Sequence, residues 1–222
     1  MKVFTHQHWH FLSLIVLLTG IYLFIDTDAA LLNGEFMGIG TSTWFWLSIL
    51  SPIVHQFYVV ICWRLELFYH SISKISGVNG FKLYKVGFAI LIFSRLVSII
   101  PLAISSANSM SMNPTLAYTL AGLCFIPSVY LFYSVQKYFG MDRAFGIDHF
   151  QPEEMKHASF VKKGIFKYTS NGMYIYGFLA LWIPGFLFLS KAALIVALFN
   201  HIYIWVHYYF TELPDIKVIY KK

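Results

Sequence analysis

The sequence GMYIYGFLALWIPGFLFL occupies residues 172–189, and AALIVALFNHIYIWVHYYF follows it at residues 192–210, after only Ser190 and Lys191. Each run is long and apolar enough to cross the hydrocarbon core of a bilayer as an α-helix. Because so short a connection permits only a tight turn, the two helices are predicted to form a hairpin whose ends return to one membrane surface. Polar residues stand at both of those ends, at 168–174 and from His207 to Asp215, so we expect the two polar clusters to meet.

The composition places the rest of the chain in the membrane as well. Of the 222 residues, 58% are hydrophobic and 12% are charged, whereas about 25% of the residues of a soluble domain are charged. Strands of a β-barrel would be half as long and would alternate in polarity. The predicted fold class is therefore all-α, a polytopic bundle of about six transmembrane helices. The four runs that precede the hairpin lie at about 9–25, 43–63, 83–105 and 115–139.

The distribution of Lys and Arg predicts the orientation of the bundle. The segments at 26–42 and 106–114 contain neither residue, and the turn of the hairpin holds only Lys191. By the positive-inside rule both termini are cytosolic, and so are the polar ends of the hairpin and the long segment at about 140–171. The net charge of +6 thus reflects topology, and nucleic acid is not a predicted partner. The cations of the other side are Lys2, Arg64, Lys74, Lys82, Lys85, Arg143, Lys156, Lys162, Lys163, Lys167, Lys217, Lys221 and Lys222.

Two of the cytosolic connections are long enough to have structure of their own. The segment at 64–82 mixes apolar and basic residues and is predicted to lie in the interface as an amphipathic segment that ends at the turn 77–80. The segment at 140–172 is too long for a simple connector, and its aromatic residues favour an ordered, functional loop.

Several polar residues fall inside the apolar runs. Arg95 lies near the middle of the third run, where an ionisable group either binds an anionic headgroup or substrate carboxylate or pairs within the bundle. Interhelical hydrogen bonding is the expectation for His55, Gln56, Asn200 and His201, with a substrate role as the alternative. The tract His6–His10 is expected to anchor the chain at the interface with Trp9 rather than to bind metal. No zinc-type spacing, phosphate-binding loop or HExxH occurs, so no metal is predicted.

Glu212 stands at the cytosolic end of the last apolar run. A carboxylate at the C-terminal end of a helix opposes the helix dipole, so a cationic partner is expected nearby. Pro214 is predicted to break or redirect the chain just beyond it.

These residues resemble the integral-membrane methyltransferase superfamily, which includes the phosphatidylethanolamine N-methyltransferases and the isoprenylcysteine carboxyl methyltransferases. The resemblance covers about 138–220 and departs from the usual motif at Gly172, where proline is usual, at Gly177, which comes one residue late, and at Leu213, where many relatives have a second acid. The matching residues are Tyr138, Phe139, Gly140, Asn171, Met173, Tyr174, Glu212, Pro214, Ile219 and Tyr220.

The resemblance implies that S-adenosylmethionine binds in a cytosolic pocket around the final hairpin and the loop before it. It divides the chain into a four-helix half at 1–139, on the side of the lipid acceptor, and a cofactor-binding region at 140–222. Candidate catalytic residues are His207, Glu154 and Arg95, and His207, His157 and Glu154 stay open as alternative bases. The implied cofactor-binding residues are His157, Val161, Lys163, Gly164, Ile165, Phe166, Asn171, Tyr174, His207, Glu212 and Pro214.

The sequence thus predicts a multi-pass membrane methyltransferase of phospholipid metabolism whose acceptor is a lipid or lipid-like molecule, with a phospholipid amine first. An isoprenylcysteine carboxylate or a thiol is the alternative acceptor. The spacing from His207 to Thr211 and Glu212 also occurs to some extent in NADPH-dependent sterol or enone reductases, which form a second enzyme class. A third alternative is a transporter or scaffold in which Arg95, His55 and His201 line a path.

Overall fold

The computed structural model describes residues 2–28 and 30–220 and is almost entirely helical there. The only strands in that part of the chain are β1 (Glu35–Phe36) and β2 (Ile39–Gly40), a two-residue antiparallel hairpin that pairs Glu35 with Gly40. The α-helices are α1 Gln7–Asp26, α2 Thr41–Tyr69, α3 Ser71–Ser76, α4 Gly80–Ser105, α5 Pro114–Ser134, α6 Met141–Ala144, α7 Pro152–Met155, α8 Trp182–Leu187, α9 Lys191–His207 and α10 Leu213–Ile219.

Short 3-10 and π-helical segments complete the chain. The 3-10 helices are Lys2–Phe4, Gly77–Asn79, Ile147–His149, Gly164–Lys167 and Phe178–Leu181, and the π-helical turns are Val135–Phe139, Met173–Gly177 and Tyr208–Glu212.

Five stretches of the described chain are long and apolar enough to cross a membrane, judged by length and composition. The predicted all-α polytopic membrane fold is therefore confirmed, while six crossings stay a prediction because the remaining apolar helix, Met173–Leu187, is shorter. That helix passes from π to 3-10 to α geometry, consistent with Gly177, Pro184 and Gly185 in its sequence, since both residue types disfavour a continuous α-helix. The five long stretches are Gln7–Asp26, Thr41–Tyr69, Ser71–Ser105, Pro114–Phe139 and Lys191–Ile219.

The contacts between helix ends sort into two sides of the bundle. On one side Lys191 pairs with Asp28 at 2.6 Å, and the Ser106 and Ser190 hydroxyls lie 2.7 Å apart. On the other side the Gln7 amide donates to the Phe210 carbonyl oxygen at 3.0 Å. The helices therefore alternate in direction, and the two ends of the final hairpin share one side. That this side is cytosolic stays a prediction from the distribution of Lys and Arg. Two of the lysines counted for it, Lys221 and Lys222, lie outside the described residues.

Helix α9 lies at the centre of the packing. Its small residues Ala192, Ala193 and Ala197 are fully buried, which lets α1, α2 and α4 approach it closely. Large apolar side chains such as Val16 and Val97, in contrast, are more than half exposed. A belt of this kind is suited to contact with lipid tails.

Candidate active site

The structure joins the two polar ends of the hairpin through Tyr174 and Glu212. The Tyr174 hydroxyl donates a hydrogen bond to Glu212 Oε2. The Tyr174 ring is buried, with its centroid 5.8 Å from that of Trp205 and 5.3 Å from that of Tyr208. The predicted meeting of the two clusters is thus observed as a direct contact.

Both residues lie on π-helical turns, Met173–Gly177 and Tyr208–Glu212. The third π-helical turn, Val135–Phe139, contains Tyr138 and Phe139, so all three segments that carry the family motifs contain this rare geometry. Single π-helical turns inside transmembrane-length helices are frequent at functional sites. The turns that carry Tyr174 and Glu212 lie at the end of the bundle where the sequence predicts the functional site.

Buried polar groups on α2, α4 and α9 face the interior at this end. The side chains of Trp63, Tyr84 and His207 are almost fully enclosed, and the Trp63 and His207 ring centroids are 5.7 Å apart. Within the described chain Trp63 Nε1, Tyr84 Oη and His207 Nδ1 make no hydrogen bond of good geometry, although Trp63 and Tyr84 lie close enough to interact with each other. Since buried polar atoms nearly always have a partner, these three are the groups most available to a polar ligand.

A buried ionic network fixes the loop at 140–156 to this end of the bundle. His149 stacks on Trp63 with ring centroids 4.0 Å apart, and its two ring nitrogens lie 3.8 Å from Asp148 and 3.5 Å from Asp215. These are ion-pair distances, longer than hydrogen bonds. The Tyr220 hydroxyl donates to Asp148 at 3.0 Å, so the tail is tied to the same network.

His149 and Asp148 lie outside the membrane-spanning segments, and the pKa of each is shifted toward its charged form. Burial alone would lower the pKa of His149, but Asp148 and Asp215 more than offset it and raise the pKa to about 9. Burial by itself raises the pKa of Asp148, yet His149 and the Tyr220 hydroxyl stabilise the carboxylate and bring its pKa below the ordinary value. The imidazolium therefore holds the loop against Trp63 at neutral pH.

Arg64 completes the network from the opposite direction. It is 1% exposed, its Nε donates to Asp215 at 3.2 Å, and its Nη1 donates to the Val3 and Thr5 carbonyl oxygens at 2.9 and 2.6 Å. Its Nη2 donates to the Phe210 carbonyl oxygen at 3.1 Å. The prediction that Arg64 belongs to an interfacial segment was wrong, because α2 continues to Tyr69 and carries this residue inside the bundle.

The cofactor residues predicted in the loop divide into two groups. Ile165 and Phe166 are buried in an apolar cluster with Leu131 and Val135, against which Val161 also packs. The Ile165 amide donates to Ser134 Oγ at 3.0 Å, so this backbone group is already engaged. Gly164 has a φ of +58°, a left-handed conformation that favours glycine, and approaches Tyr138 closely. This group packs the loop against α5 and the π-helical turn that follows it.

The second group is solvent-exposed. Glu154, His157 and Lys163 project from the loop and have no described contact with Glu212. The other two predicted residues, Asn171 and Pro214, are half-buried. The Asn171 carbonyl oxygen accepts a hydrogen bond from the Tyr174 amide at 3.1 Å, just before the π-helical turn. Pro214 lines a cleft of about 260 Å³ with Arg64 and Asp215. The structure therefore brings Tyr174 and Glu212 together, with His207 buried nearby in α9, and leaves the exposed residues outside.

Two further expectations from sequence meet a definite outcome. His10 is fully buried and its Nε2 lies 2.8 Å from the Tyr203 hydroxyl, so it packs in the bundle instead of anchoring the interface. Pro214 does not break the helix, because it falls in the first turn of α10, where no amide hydrogen is needed.

Arg95 lies deeper in the bundle than the Tyr174–Glu212 contact. Its Nη2 is 2.9 Å from His55 Nδ1, its Nη1 donates to Asn200 Oδ1 at 3.2 Å, and its guanidinium lies 5.3 Å from the centre of the Phe178 ring. The expected interhelical hydrogen bonding of His55 and Asn200 is thus observed. Its predicted catalytic role stays a prediction.

Fold and site together define a class: a helical integral membrane protein with a buried polar site at one end, built around a C-terminal hairpin. The model of the phospholipid methyltransferase family matches residues 116–222, which include all three π-helical turns and the Tyr174–Glu212 contact. The match covers just under half of the chain, and it confirms the resemblance of the C-terminal part to the membrane methyltransferases. No curated protein and no solved structure gave a significant match.

Proposed function

We propose that the protein is an S-adenosylmethionine-dependent methyltransferase whose acceptor is the amine of a phospholipid. The match of residues 116–222 to the family model supports a membrane methyltransferase. The proposal for the cofactor and its site rests on the contact between Tyr174 and Glu212, which closes the hairpin beside the buried polar groups of Trp63, Tyr84 and His207.

The residues at this end of the bundle fit the chemical groups of S-adenosylmethionine. Glu212 is half-buried, and its carboxylate suits the ammonium group or the ribose hydroxyls of the cofactor. The indole N–H of Trp63 and the hydroxyl of Tyr84 are donors suited to the carboxylate or ring nitrogens. When bound, the cofactor supplies a sulfonium methyl group that is already activated for in-line displacement.

The protein then has to align the acceptor and remove a proton from its nitrogen. Alignment alone contributes on the order of 7–11 kcal/mol at best. An ammonium group has no lone pair, so the acceptor amine must lose a proton before it attacks. Of the three predicted bases, His207 is the one inside the bundle, and its Nδ1 has no partner in the described chain, whereas Glu154 and His157 are exposed. We therefore assign the proton acceptor to His207.

The acceptor class is tested by product analysis. Purified protein in lipid nanodiscs is incubated with methyl-labelled S-adenosylmethionine and phosphatidylethanolamine, a prenylated cysteine or a small thiol. Label in a methylated phospholipid supports the proposal. Label only in the prenylated cysteine or thiol would assign the alternative acceptor, and binding of NADPH without S-adenosylmethionine would assign the reductase class. Glu212→Gln should lose the product, and Glu35→Gln, an exposed acid on β1, should keep it.

A further inference from the structure

Two arginines are buried to the same extent but are satisfied very differently. Arg64 is 1% exposed and has the Asp215 carboxylate and three backbone carbonyl oxygens within 3.2 Å. Arg95 is 2% exposed, and its two hydrogen-bond partners, His55 and Asn200, are uncharged as acceptors. No carboxylate pairs with Arg95 anywhere in the described chain. A buried cation without a counter-ion is strongly disfavoured in a bilayer.

The groups left without partners around Arg95 are donors. His55 Nδ1 accepts from the guanidinium, so the ring hydrogen is on Nε2, and Nε2 has no partner among the described residues. Arg95 Nε is also buried without a partner among the described residues. An oxyanion would neutralise the positive charge of Arg95 and accept hydrogen bonds from these unpartnered donors.

We infer that Arg95, with His55, forms a binding site inside the bundle for an oxyanion, and that its occupant is the phosphate of the acceptor lipid. The choice of lipid rests on the proposed function, because an acceptor phospholipid brings a phosphodiester into the bundle. The cofactor carboxylate has the same chemistry and is the other source of such an oxyanion.

The position of Arg95 relative to Tyr174 supports the lipid. Phe178 covers the guanidinium and lies 6.0 Å from the His201 ring, while Tyr174 lies four residues earlier and contacts Trp205. Arg95 is therefore about one helical turn deeper than the Tyr174 ring. In an ethanolamine phospholipid only two carbons separate phosphate from amine. A phosphate on Arg95 directs the amine toward Tyr174 and Glu212 and leaves the acyl chains on the side of the bilayer core.

The test measures thermal unfolding in detergent without cofactor, with and without added phosphatidylethanolamine. Diacylglycerol with the same acyl chains, which lacks the phosphate, is the control ligand. The phospholipid should raise the Tm of the wild type more than diacylglycerol does. Arg95→Met should lose this difference, and its KM for the lipid should rise at least roughly tenfold. An unchanged affinity for S-adenosylmethionine completes the expected pattern.

A second variant keeps the inference testable if Arg95→Met folds poorly. Asn200→Asp places a carboxylate where an amide oxygen already lies 3.2 Å from Arg95 Nη1. This built-in anion should raise the Tm in detergent and reduce the response to phospholipid. Equal responses to phospholipid in the wild type and both variants would overturn the site. Loss of cofactor affinity with an unchanged response to lipid would overturn the lipid assignment. A protein that binds no S-adenosylmethionine but shows the expected lipid responses would refute the proposed function and leave this anion site standing.

Discussion

The pairing of His149 makes the stability of the protein depend on pH in a predictable direction. The imidazole is 2% exposed, and its pKa is about 9 in the folded protein against an ordinary value of 6.5. Because the folded state holds the proton more tightly than the unfolded chain, the protonated ring contributes its full stabilisation below pH 6.5. That contribution is lost as the pH rises through about 9.

The difference between these two values corresponds to about 3 kcal/mol of unfolding free energy. For a chain of this length it is a fall in Tm of about 6–12 °C across the window. The assay is thermal unfolding in detergent at a pH below 6.5 and at a pH above 9, with wild type and His149→Gln measured side by side. Glutamine does not titrate, so the variant isolates the contribution of this side chain from the other groups that change charge.

The expected result is a steep decline of Tm for the wild type and a much shallower one for His149→Gln. Identical slopes for the two proteins would show that the imidazole does not hold the loop by its charge. A wild type that becomes more stable toward high pH would contradict the direction of the pKa shift, and with it the ion pairs to Asp148 and Asp215.

Two further substitutions test the geometry of the site. Tyr174→Phe removes one hydrogen bond to a carboxylate, worth about 1.5–3 kcal/mol, so the calorimetric Kd for S-adenosylmethionine should rise about tenfold or more. The control Tyr118→Phe, on the exposed face of α5, should match the wild type. Equal affinities for the two variants would refute the role of the Tyr174 hydroxyl. Gly146→Ala puts a side chain on a residue with φ +84° and its Cβ 2.5 Å from the Trp63 indole, whereas Gly38→Ala meets a similar φ of +75° with no neighbour within 4 Å. Gly146→Ala should therefore lower the unfolding free energy by about 2 kcal/mol or more and exceed the effect of Gly38→Ala, and equal Tm values for the two variants would contradict the packing of the loop on Trp63.

Features that are local in the sequence were sufficient to predict the hairpin and the meeting of its two polar ends. Only Ser190 and Lys191 separate the last two apolar runs, so their ends had to return to one side, and Glu212 stood where a helix end disfavours an acid. The meeting of the two polar clusters follows from the short turn. The sequence predicted a helix end and a cationic partner for Glu212, whereas in the structure the helix continues to Ile219 and the neutral Tyr174 hydroxyl donates to Glu212. The same reasoning found Arg95 as an ionisable group inside a span.

Long-range packing set the features that the sequence did not reveal. Arg64 and Asp215 are 151 residues apart, and an arginine at the end of an apolar run has the same sequence context whether it extends to the surface or is buried. The rotation of each helix about its axis decides that outcome, and periodicity in an apolar run does not determine it. His149 is similar, because nothing near it in sequence predicts its stacking on Trp63. The three π-helical turns likewise depend on contacts between segments.

Calorimetric titration of S-adenosylmethionine into the purified protein tests the central claim most directly. The wild type and Glu35→Gln should bind with the same affinity, and Glu212→Gln should bind at least roughly tenfold more weakly, because the carboxylate that joins the two ends of the hairpin is then neutral. Absence of binding to the wild type, or equal affinity for wild type and Glu212→Gln, would contradict a cofactor site at the Tyr174–Glu212 contact.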